Sequence, residues 1–301
     1  MIKECTMTKT VTVSVNEFFG WKNHPFSDQA DQYDDIMVGH DQEVLKRAVE
    51  LLKIGKSFAI TGGSGLGKTT LTRAIIKSLD ARNYQIMWVP YTGVNRIGIL
   101  KMLAEKTGIE LTRKGLPPLA KLQKHIAAEQ RDHGAPFPII VVDDAQHLEK
   151  ESLMDLCAML INPEDNRTIM ALILVGDETL DRTLRLSSQK AVSSRLACVF
   201  KMKSLAHEDA KAMLNSRMEK AKAPPSLFDR EAVELITTNC GGNRRELMKL
   251  AFNLCMEAHL RNEKVITAEM ICRQNTCKQT GEAEISGGNP VSRNNPGGIR
   301  S

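Results

Sequence analysis

Residues 62–69 of this 301-residue chain read Gly62-Gly63-Ser64-Gly65-Leu66-Gly67-Lys68-Thr69. This stretch, the phosphate loop, satisfies the pattern G-x-x-x-x-G-K-[ST], in which glycines let the backbone curl until several N–H groups face one anion. The apolar run 57–61 predicts a buried strand before it, and residues 69–79 predict a helix whose positive N-terminal end faces the same anion. The loop therefore predicts a site for ATP, with Lys68 at the β- and γ-phosphates and the Thr69 hydroxyl on Mg²⁺. We expect nucleotide contacts from Gly62 through Thr70.

A second apolar run, Ile139–Val142, ends at two adjacent carboxylates, Asp143 and Asp144. A buried strand would deliver Asp143 to the phosphate edge of the sheet, where it would hold Mg²⁺ through water, and Asp144 would polarise the attacking water. The distance along the chain from Thr69 to Asp143 leaves room for an additional strand in the sheet. The two motifs together predict ATP hydrolysis; the alternative for the second motif is a buried strand followed by a polar turn.

The hydrophobic pattern predicts the rest of the fold. Further strands are expected at 85–90 and 171–175, with helices between the strands. The predicted helices of this part are 41–54, 69–79, 95–107, 117–129 and 150–160. Alternating strands and helices predict an α/β fold, in which a parallel sheet is flanked by helices and binds its ligand at the carboxyl ends of the strands.

After residue 205 the pattern becomes helical and predicts a small lid domain. Its predicted helices are 207–221, 229–238, 244–261 and 267–273, with Asp229 and Thr267 as N-caps. The sequence therefore predicts four regions. They are an N-terminal arm that is loose or strand-forming (1–16), a nucleotide-binding α/β domain (17–204), the helical lid domain (205–277) and a disordered tail (278–301).

The composition predicts a cytoplasmic protein with no membrane partner. The seven cysteines are an odd number without a C-x-x-C pair, so neither a disulfide framework nor a zinc ribbon is expected, and a reducing cytoplasm fits. No run approaches the ~20 apolar residues of a membrane span. The N-terminus also lacks the apolar core of an export signal.

Positive charge collects away from the N-terminal segment. Lys and Arg outnumber Asp and Glu by 8 to 4 over residues 91–134 and by 14 to 10 over residues 201–278, within a net charge of +5. This distribution suits a nucleic-acid partner, and an ordinary solvated helix surface is the alternative. Contacts would be made mainly to phosphates of double-stranded DNA, largely independent of sequence. The candidate contacts are Arg96, Lys101, Lys106, Arg113, Lys114, Lys121 and Lys124.

Four stretches together resemble one branch of the AAA+ ATPases. They are Phe18-Phe19-Gly20-Trp21-Lys22 with Pro25-Phe26, the phosphate loop, Asp143-Asp144-Ala145-Gln146-His147-Leu148, and Gly241-Gly242-Asn243-Arg244-Arg245. The branch contains the ExeA secretion ATPase and the transposition regulators TnsC, TniB and the Mu phage B protein. The resemblance covers roughly residues 17–273. Two short stretches, 113–117 and 193–197, lean toward the transposition members.

The resemblance implies further roles in the site. Asp177 stands where the family places its sensor-1 residue, although Asn, Thr or Gln is more usual there. Arg195 matches the arginine finger that neutralises transition-state charge at a neighbouring subunit's γ-phosphate, with Arg185 as the alternative. Arg245 matches the sensor-2 arginine, with Arg244 as the alternative.

The resemblance also bears on the residues beside the adenine and on the rate of ATP hydrolysis. Val38 and the Pro25-Phe26 pair match segments that wall the adenine in the family. Many relatives carry Asp-Glu where this chain carries Asp143-Asp144, so its second carboxylate sits about one methylene further from the attacking water. We therefore expect slow hydrolysis, because a positioned base depends strongly on geometry.

The resemblance implies, as first hypothesis, an ATP-dependent regulator of DNA transposition. ATP would assemble copies of the chain into a ring or helical filament on double-stranded DNA. The assembly would select or mark a target and recruit or stimulate a transposase, with a target-selection protein as a further partner, and hydrolysis would dissolve it. The alternatives are an ExeA-like secretion ATPase, a nucleotide-switched scaffold protein, and a clamp-loader or initiator-like replication protein. ExeA-like proteins continue into a membrane span and a peptidoglycan-binding domain; neither is expected in this sequence.

Overall fold

The computed structural model describes residues 13–27, 36–89, 95–111 and 116–273 of the chain. Three expectations fall outside these ranges: the arm up to residue 12, the candidate DNA contacts Arg113 and Lys114, and the tail 278–301. Within the described ranges the chain forms a five-stranded sheet with helices on both faces, followed by a group of packed helices.

Five parallel strands form the sheet that carries the phosphate loop. They are β1 (Ser57–Thr61), β2 (Tyr84–Val89), β3 (Phe137–Val142), β4 (Ala171–Gly176) and β5 (Leu196–Lys201). Their spatial order is β2-β3-β4-β1-β5. The α/β fold class predicted from the sequence is confirmed. β4 lies between β1, which leads into the phosphate loop, and β3, which ends at Asp143. The strand in the stretch between Thr69 and Asp143 is β2, which lies at the edge of the sheet.

Helices cover both faces of this sheet, so its central strands are apolar on both sides. The helices of the described ranges include α1 (Val15–Phe19), α2 (His40–Lys53), α3 (Lys68–Lys77), α4 (Arg96–Thr107), α5 (Pro118–His133), α6 (Lys150–Ala158), α7 (Glu178–Leu184), α8 (Lys190–Ser193), α9 (His207–Lys220), α10 (Arg230–Asn239) and α11 (Arg244–Leu260). Of these, α2 to α8 pack on the sheet, and α1 and α9 to α11 pack in the lid. Ile139 and Val141 of β3 pack with α2 and α3. Ile140 and Val142 face the opposite side, where α4 to α8 pack.

A separate hydrophobic core holds the lid together. Side chains of α9, α10 and α11, such as Leu214, Ile236 and Leu254, are fully buried in it. Trp21 and Phe26 of the N-terminal segment are buried in the same cluster. The N-terminal segment therefore packs on the lid, although the predicted boundary grouped it with the α/β part.

Local chemistry explains where the elements depart from the sequence-based expectation. The prediction of a strand-forming arm is wrong at Val15, which begins α1. Ser14 and Glu17 form a capping box there, because each side chain accepts a hydrogen bond from the other residue's backbone N–H. β5 and α7 were not predicted. β5 lies at the edge of the sheet and is only partly buried, but its residues 196–200 are all apolar, so the sequence did carry a signal for this strand.

Candidate nucleotide-binding site

The phosphate loop connects β1 to α3 at the carboxyl edge of the sheet. Gly67, the residue before α3, has a φ of 83°, a left-handed conformation that favours glycine. A Cβ added to Gly67 would also lie 2.8 Å from Cδ of Arg244 in the lid. Both the backbone conformation and the close approach of the lid therefore require glycine at this position.

Lys68 extends along the inside of the loop. Its ammonium group donates hydrogen bonds to the backbone carbonyls of Gly62 and Gly63, both at 2.9 Å. Burial lowers the pKa of Lys68, while the negative charges of Asp143 and Asp144 oppose that shift. The charged end of Lys68 is therefore held at the loop where the sequence predicts the phosphates.

Thr69 and Asp143 meet beside the loop. The Thr69 hydroxyl donates to Oδ2 of Asp143 at 2.9 Å, which brings together the two motifs predicted to bind metal. A hydroxyl and a carboxylate are hard oxygen donors that suit Mg²⁺, which keeps several waters and binds substrate phosphates. No group of three or more His, Cys, Asp or Glu side chains able to hold a metal occurs among the described residues. The Thr69 hydroxyl and the Asp143 carboxylate fit Mg²⁺ brought with a nucleotide.

Asp144 follows in a left-handed backbone conformation with a φ of 52°. Its N–H donates to Oδ1 of Asp143 at 3.0 Å. Its side chain is exposed in the cleft and accepts a hydrogen bond from Nε2 of Gln146 at 3.2 Å. A carboxylate in this place can orient a water toward the phosphates.

Asp177 lines the same cleft at the end of β4. Its Oδ1 accepts hydrogen bonds from the N–H groups of Thr179 at 2.7 Å and Leu180 at 3.3 Å, so the side chain caps α7. Its own N–H donates to Oε1 of Gln146 at 3.2 Å. The sensor-1 candidate is thus a helix cap that faces the site.

Residues at the start of α11 donate hydrogen bonds to the phosphate loop from the lid side. Asn243 donates from Nδ2 to the carbonyl of Ser64 at 2.9 Å. Arg245 donates from its backbone N–H to the carbonyl of Gly65 at 3.2 Å and from Nη1 to Oγ of Ser64 at 2.8 Å. Arg245 also lines the cleft, as a nucleotide-sensing arginine should.

Arg244 is engaged differently. Its Nη2 pairs with Oδ2 of Asp41 at 2.6 Å, and the two side chains are only 10% and 6% exposed. Its Nη1 donates to the carbonyls of Leu66 at 2.7 Å and Lys203 at 3.2 Å. Burial raises the pKa of Asp41, and the positive charge of Arg244 opposes that rise. Arg244 therefore ties together α2, the phosphate loop and the lid, which leaves Arg245 as the better sensor-2 candidate.

The cleft between the α/β part and the lid has a volume of about 440 Å³. Apolar side chains from both parts line it away from the phosphate loop: Ile36, Met37, Met213 and Met248. The predicted adenine contact Val38 is buried in the lid core together with Phe26. Arg217 of α9 also lines the cleft and donates to the carbonyls of Pro25 at 3.2 Å and Ser27 at 3.3 Å.

The two candidate finger arginines lie outside this cleft. Arg195 is exposed between α8 and β5, and no ion pair holds it within the described part of the chain. It is close enough to Cys157 to oppose the rise, to about 12, that burial causes in the pKa of that thiol. Arg185 is bound to Asp181 at 3.2 Å, and Asp181 also binds Lys201 at 3.0 Å. Arg195 is thus the arginine better placed to reach a second copy.

The predicted DNA contacts are spread over α4 and α5. Lys101, Lys106 and Lys124 are exposed, and Lys121 is half-buried. Arg96 makes a two-pronged ion pair with Asp155 of α6, so part of its charge is already compensated. The exposed lysines remain candidate phosphate contacts.

A second groove, of about 490 Å³, lies at the opposite end of the sheet. Residues at the starts of β2 and β3 line it, including Tyr84 and Pro138, together with His125 of α5. It lacks a glycine-rich loop and a helix N-terminus aimed into it, so the chemistry of phosphate binding favours the cleft at the phosphate loop.

Sequence reasoning did not assign seven residues that line the cleft: Ile36, Met37, Asp41, Gln146, Met213, Arg217 and Met248. Gln146 belongs to a quoted motif, so its position next to Asp143-Asp144 was a usable signal. The other six carry no local signal and reach the cleft only through tertiary packing. Across the described ranges, moreover, none of the helices combines the length and apolar character needed to cross a bilayer.

Comparison with known proteins shows which kind of protein this chain resembles. Residues 54–184 match a family model described as an AAA domain. The General secretion pathway protein A of Aeromonas hydrophila is 24% identical over 234 residues, which cover 75% of this chain. The chain covers only 41% of the length of that relative. Together, the match and the similarity support an AAA+ ATPase.

Solved structures share the fold at low sequence identity. Cdc6p of Pyrobaculum aerophilum has a TM-score of 0.63 at 17% identity, covering 80% of this chain and 67% of that one. The Aeropyrum pernix ORC1 protein, solved in complex with DNA, also has a TM-score of 0.63, at 18% identity, covering 87% and 68%. The RuvB Holliday junction branch migration motor of Thermotoga maritima has a TM-score of 0.53 at 17% identity, covering 78% and 68%. The chain thus has the fold of P-loop AAA+ ATPases.

Proposed function

We propose that this chain binds Mg²⁺ and ATP in the cleft, hydrolyses ATP slowly, and uses the cycle to assemble on and leave duplex DNA as a regulator of DNA transposition. The observation that carries the nucleotide part is the 2.9 Å contact between Thr69 and Asp143, with Asp144 next to it. A bound Mg²⁺ would supply charge neutralisation at the β- and γ-phosphates. Lys68 would add its own positive charge at the same phosphates.

Asp144 orients the water for the chemical step. Its carboxylate accepts a hydrogen bond and then a proton from that water, whose oxygen forms a bond to the γ-phosphorus. The bond from the γ-phosphorus to the bridging oxygen breaks at the same stage, ADP and inorganic phosphate leave, and Asp144 returns the proton to solvent. The short side chain of Asp144 is the reason to expect slow ATP hydrolysis, which would set how long the assembly lasts rather than drive movement.

The position of Arg195 supports assembly into a ring or filament. This arginine is exposed outside its own chain's cleft, so it can neutralise transition-state charge only in a neighbouring copy. ATP bound between two copies would then stabilise their contact, and hydrolysis would release it.

Binding to DNA is supported by the exposed lysines Lys101, Lys106 and Lys124 on α4 and α5. The similar fold of an ORC1 protein solved with DNA is compatible with this role. An assembly repeats each contact in every subunit, so contacts that are weak singly can hold firmly together. The transposition role, with a transposase and a target-selection protein as partners, rests on the short stretches that resemble transposition regulators.

Fluorescence anisotropy with two unrelated duplexes tests the DNA part. Affinity would be measured over a salt series with a non-hydrolysable ATP analogue and with ADP. We expect similar affinity for both duplexes, dependence on the ATP analogue, and steep weakening with salt, because bound phosphates release counterions. Changing Lys101 and Lys124 together to Ala should weaken both complexes equally and reduce the salt slope by about two. The control is Lys53→Ala, on α2.

Two results would count against the proposal. Wild-type protein that binds neither duplex with the ATP analogue would remove the DNA role, and with it the transposition role. Unaltered affinity in the double lysine variant would move the DNA surface elsewhere, such as the basic lid. The transposition step itself is tested by gene neighbourhood and by strand transfer: we expect a transposase gene beside the gene for this chain, and strand transfer by that transposase should be stimulated when the chain and ATP are added.

A secretion ATPase is the second candidate, favoured by the similarity to General secretion pathway protein A. Such a protein would hydrolyse ATP without needing duplex DNA. ATP hydrolysis that is unchanged by duplex DNA, together with no DNA binding, would favour this candidate over transposition.

A further inference from the structure

Gln146 links the side chain of Asp144 to the backbone of Asp177 in the cleft. Nε2 of Gln146 donates to Oδ1 of Asp144 at 3.2 Å, and Oε1 accepts from the N–H of Asp177 at 3.2 Å. The side chain is half-buried and lines the cleft. One amide thus connects the end of β3 to the end of β4, the strand next to it in the sheet.

The polarity of these two hydrogen bonds is fixed by the partners. An ionised carboxylate can only accept, and a backbone N–H can only donate. The amide must therefore turn its NH₂ group toward Asp144 and its oxygen toward Asp177. A side chain of this length satisfies both partners only if it carries a donor and an acceptor at its end.

The surroundings leave the amide little freedom. Ala145, just before it, is fully buried, which anchors the short 3-10 turn from Ala145 to His147. A Cβ added to Gly176, the last residue of β4, would lie 2.8 Å from Oε1 of Gln146. Asp177, in turn, is fixed by the hydrogen bonds that cap α7.

Asp144 by contrast has few restraints of its own. Its side chain is short and exposed, and its backbone takes a left-handed conformation that is uncommon for residues other than glycine. A base that orients water loses efficiency when its position is loose. The hydrogen bond from Gln146 is the contact that restrains this carboxylate within the described part of the chain.

We propose that Gln146 is a positioning residue for ATP hydrolysis, holding the Asp144 carboxylate against the end of β4 so that it can orient the attacking water. This inference rests on the proposed ATPase function. Gln146 contacts neither phosphate nor metal in the proposed mechanism. Removing its side chain should therefore lower kcat and leave the affinity for nucleotide unchanged.

The first test compares Gln146→Ala with Gln130→Ala. Gln130 is a half-buried glutamine that donates to the carbonyl of Ile169 at 2.6 Å and lies outside the cleft, so its removal controls for the loss of one buried hydrogen bond. We expect kcat of Gln146→Ala to fall about 10- to 100-fold, the usual effect of removing a residue that orients a functional group. KM and the affinity for a fluorescent ATP analogue should stay near wild type in both variants, and kcat should stay near wild type in Gln130→Ala.

The second test uses pH. Gln146→Glu places a carboxylate against Asp144, and two such neighbours raise one pKa because they cannot easily both be ionised. Once protonated, the introduced side chain has a donor for Asp144 and an acceptor for Asp177, as the amide has. The ratio of kcat in Gln146→Glu to kcat in wild type should therefore rise from mildly alkaline to mildly acidic pH. A role in folding alone would leave this ratio flat.

The outcomes separate this inference from the function it rests on. No ATP turnover by wild type would remove both. Wild-type turnover with normal kcat in Gln146→Ala, or a loss of affinity that accounts for the whole effect, or a flat pH ratio, would each overturn the positioning role and leave the ATPase function standing.

Discussion

Single side chains decide the chemistry of the cleft, and Lys68 is the clearest case. It is partly buried, its pKa is lowered by that burial, and its ammonium lies 2.9 Å from two loop carbonyls. The nearby carboxylates Asp143 and Asp144 would repel phosphates, so a cation between them and the nucleotide is essential.

Lys68→Ala should therefore abolish nucleotide binding. Thermal unfolding with and without ATP measures this directly, because a ligand that binds only the folded state raises its stability. ATP should raise the melting temperature of wild type and of the control Lys53→Ala, and should leave that of Lys68→Ala unchanged. An equal shift in all three proteins would show that the phosphates bind somewhere other than this loop.

The phosphate loop and the Asp143-Asp144 pair could be predicted because their signals are local. A glycine-rich loop, a lysine and an apolar run ending in carboxylates each occupy a few consecutive residues. The partners of Arg244 could not be predicted in this way. Its contacts with Leu66 and Asp41 span 178 and 203 residues of sequence, and only the packing of the lid onto the α/β part brings them together.

At the scale of elements, continuous apolar runs made most of the strands predictable from the sequence. β1, β3 and β4 are covered on both faces, so their residues form continuous apolar runs that were predicted at nearly the observed positions. β2 and β5 are edge strands with partly exposed residues. β2 was nevertheless predicted, whereas the apolar run 196–200 of β5 was an available signal that the prediction missed. The N-terminal segment was recognised by its aromatic residues, but sequence gave no sign that Trp21 and Phe26 pack against lid helices.

The junction of α2, the phosphate loop and α11 depends on the buried pair of Arg244 and Asp41. Arg244→Ala would leave the Asp41 carboxylate buried without its partner, and such a loss costs about 3–5 kcal/mol. Urea unfolding should show this loss. Adding Asp41→Asn to Arg244→Ala should recover part of it, because a neutral amide is less costly to bury than an unpaired charge.

A matched control lies on the same helix. Arg261→Ala removes a partly exposed pair with Glu257, which should change the free energy of unfolding by less than about 1 kcal/mol. Equal losses in Arg244→Ala and Arg261→Ala, or no recovery in the double variant, would contradict a structural role for the buried pair.

At the scale of the whole molecule, the cleft is built from parts that could move relative to one another. The α/β part supplies Lys68 and the carboxylates, and the lid supplies Arg245 and the methionines of α9 and α11. Arg217 connects the cleft to the N-terminal segment through the carbonyls of Pro25 and Ser27. A nucleotide in the cleft would touch both hydrophobic cores, so its binding energy can be used to fix their relative position.

A neighbouring copy would complete this site, and mixing two inactive variants tests that directly. Arg195→Ala should bind ATP but turn it over slowly, because the finger it offers to its neighbour is missing. Asp144→Asn should also bind ATP and be slow, because the amide keeps an acceptor for Gln146 but cannot orient water as a carboxylate does.

An equimolar mixture should hydrolyse ATP faster than either variant alone. Some interfaces in the mixture pair an intact Asp144 from one subunit with an intact Arg195 from the next, and these composite sites carry every group that wild type carries.

The matched control is Arg185→Ala mixed with Asp144→Asn. Arg185 is bound to Asp181 within its own chain, so that variant should be close to wild type alone and should gain nothing from mixing. The ATPase rate is measured against mixing ratio at fixed total protein, with a maximum expected near equal amounts. Full activity in Arg195→Ala alone, with a rate that falls linearly as Asp144→Asn is added, would mean that each chain completes its own site and that Arg195 has no role across a subunit boundary.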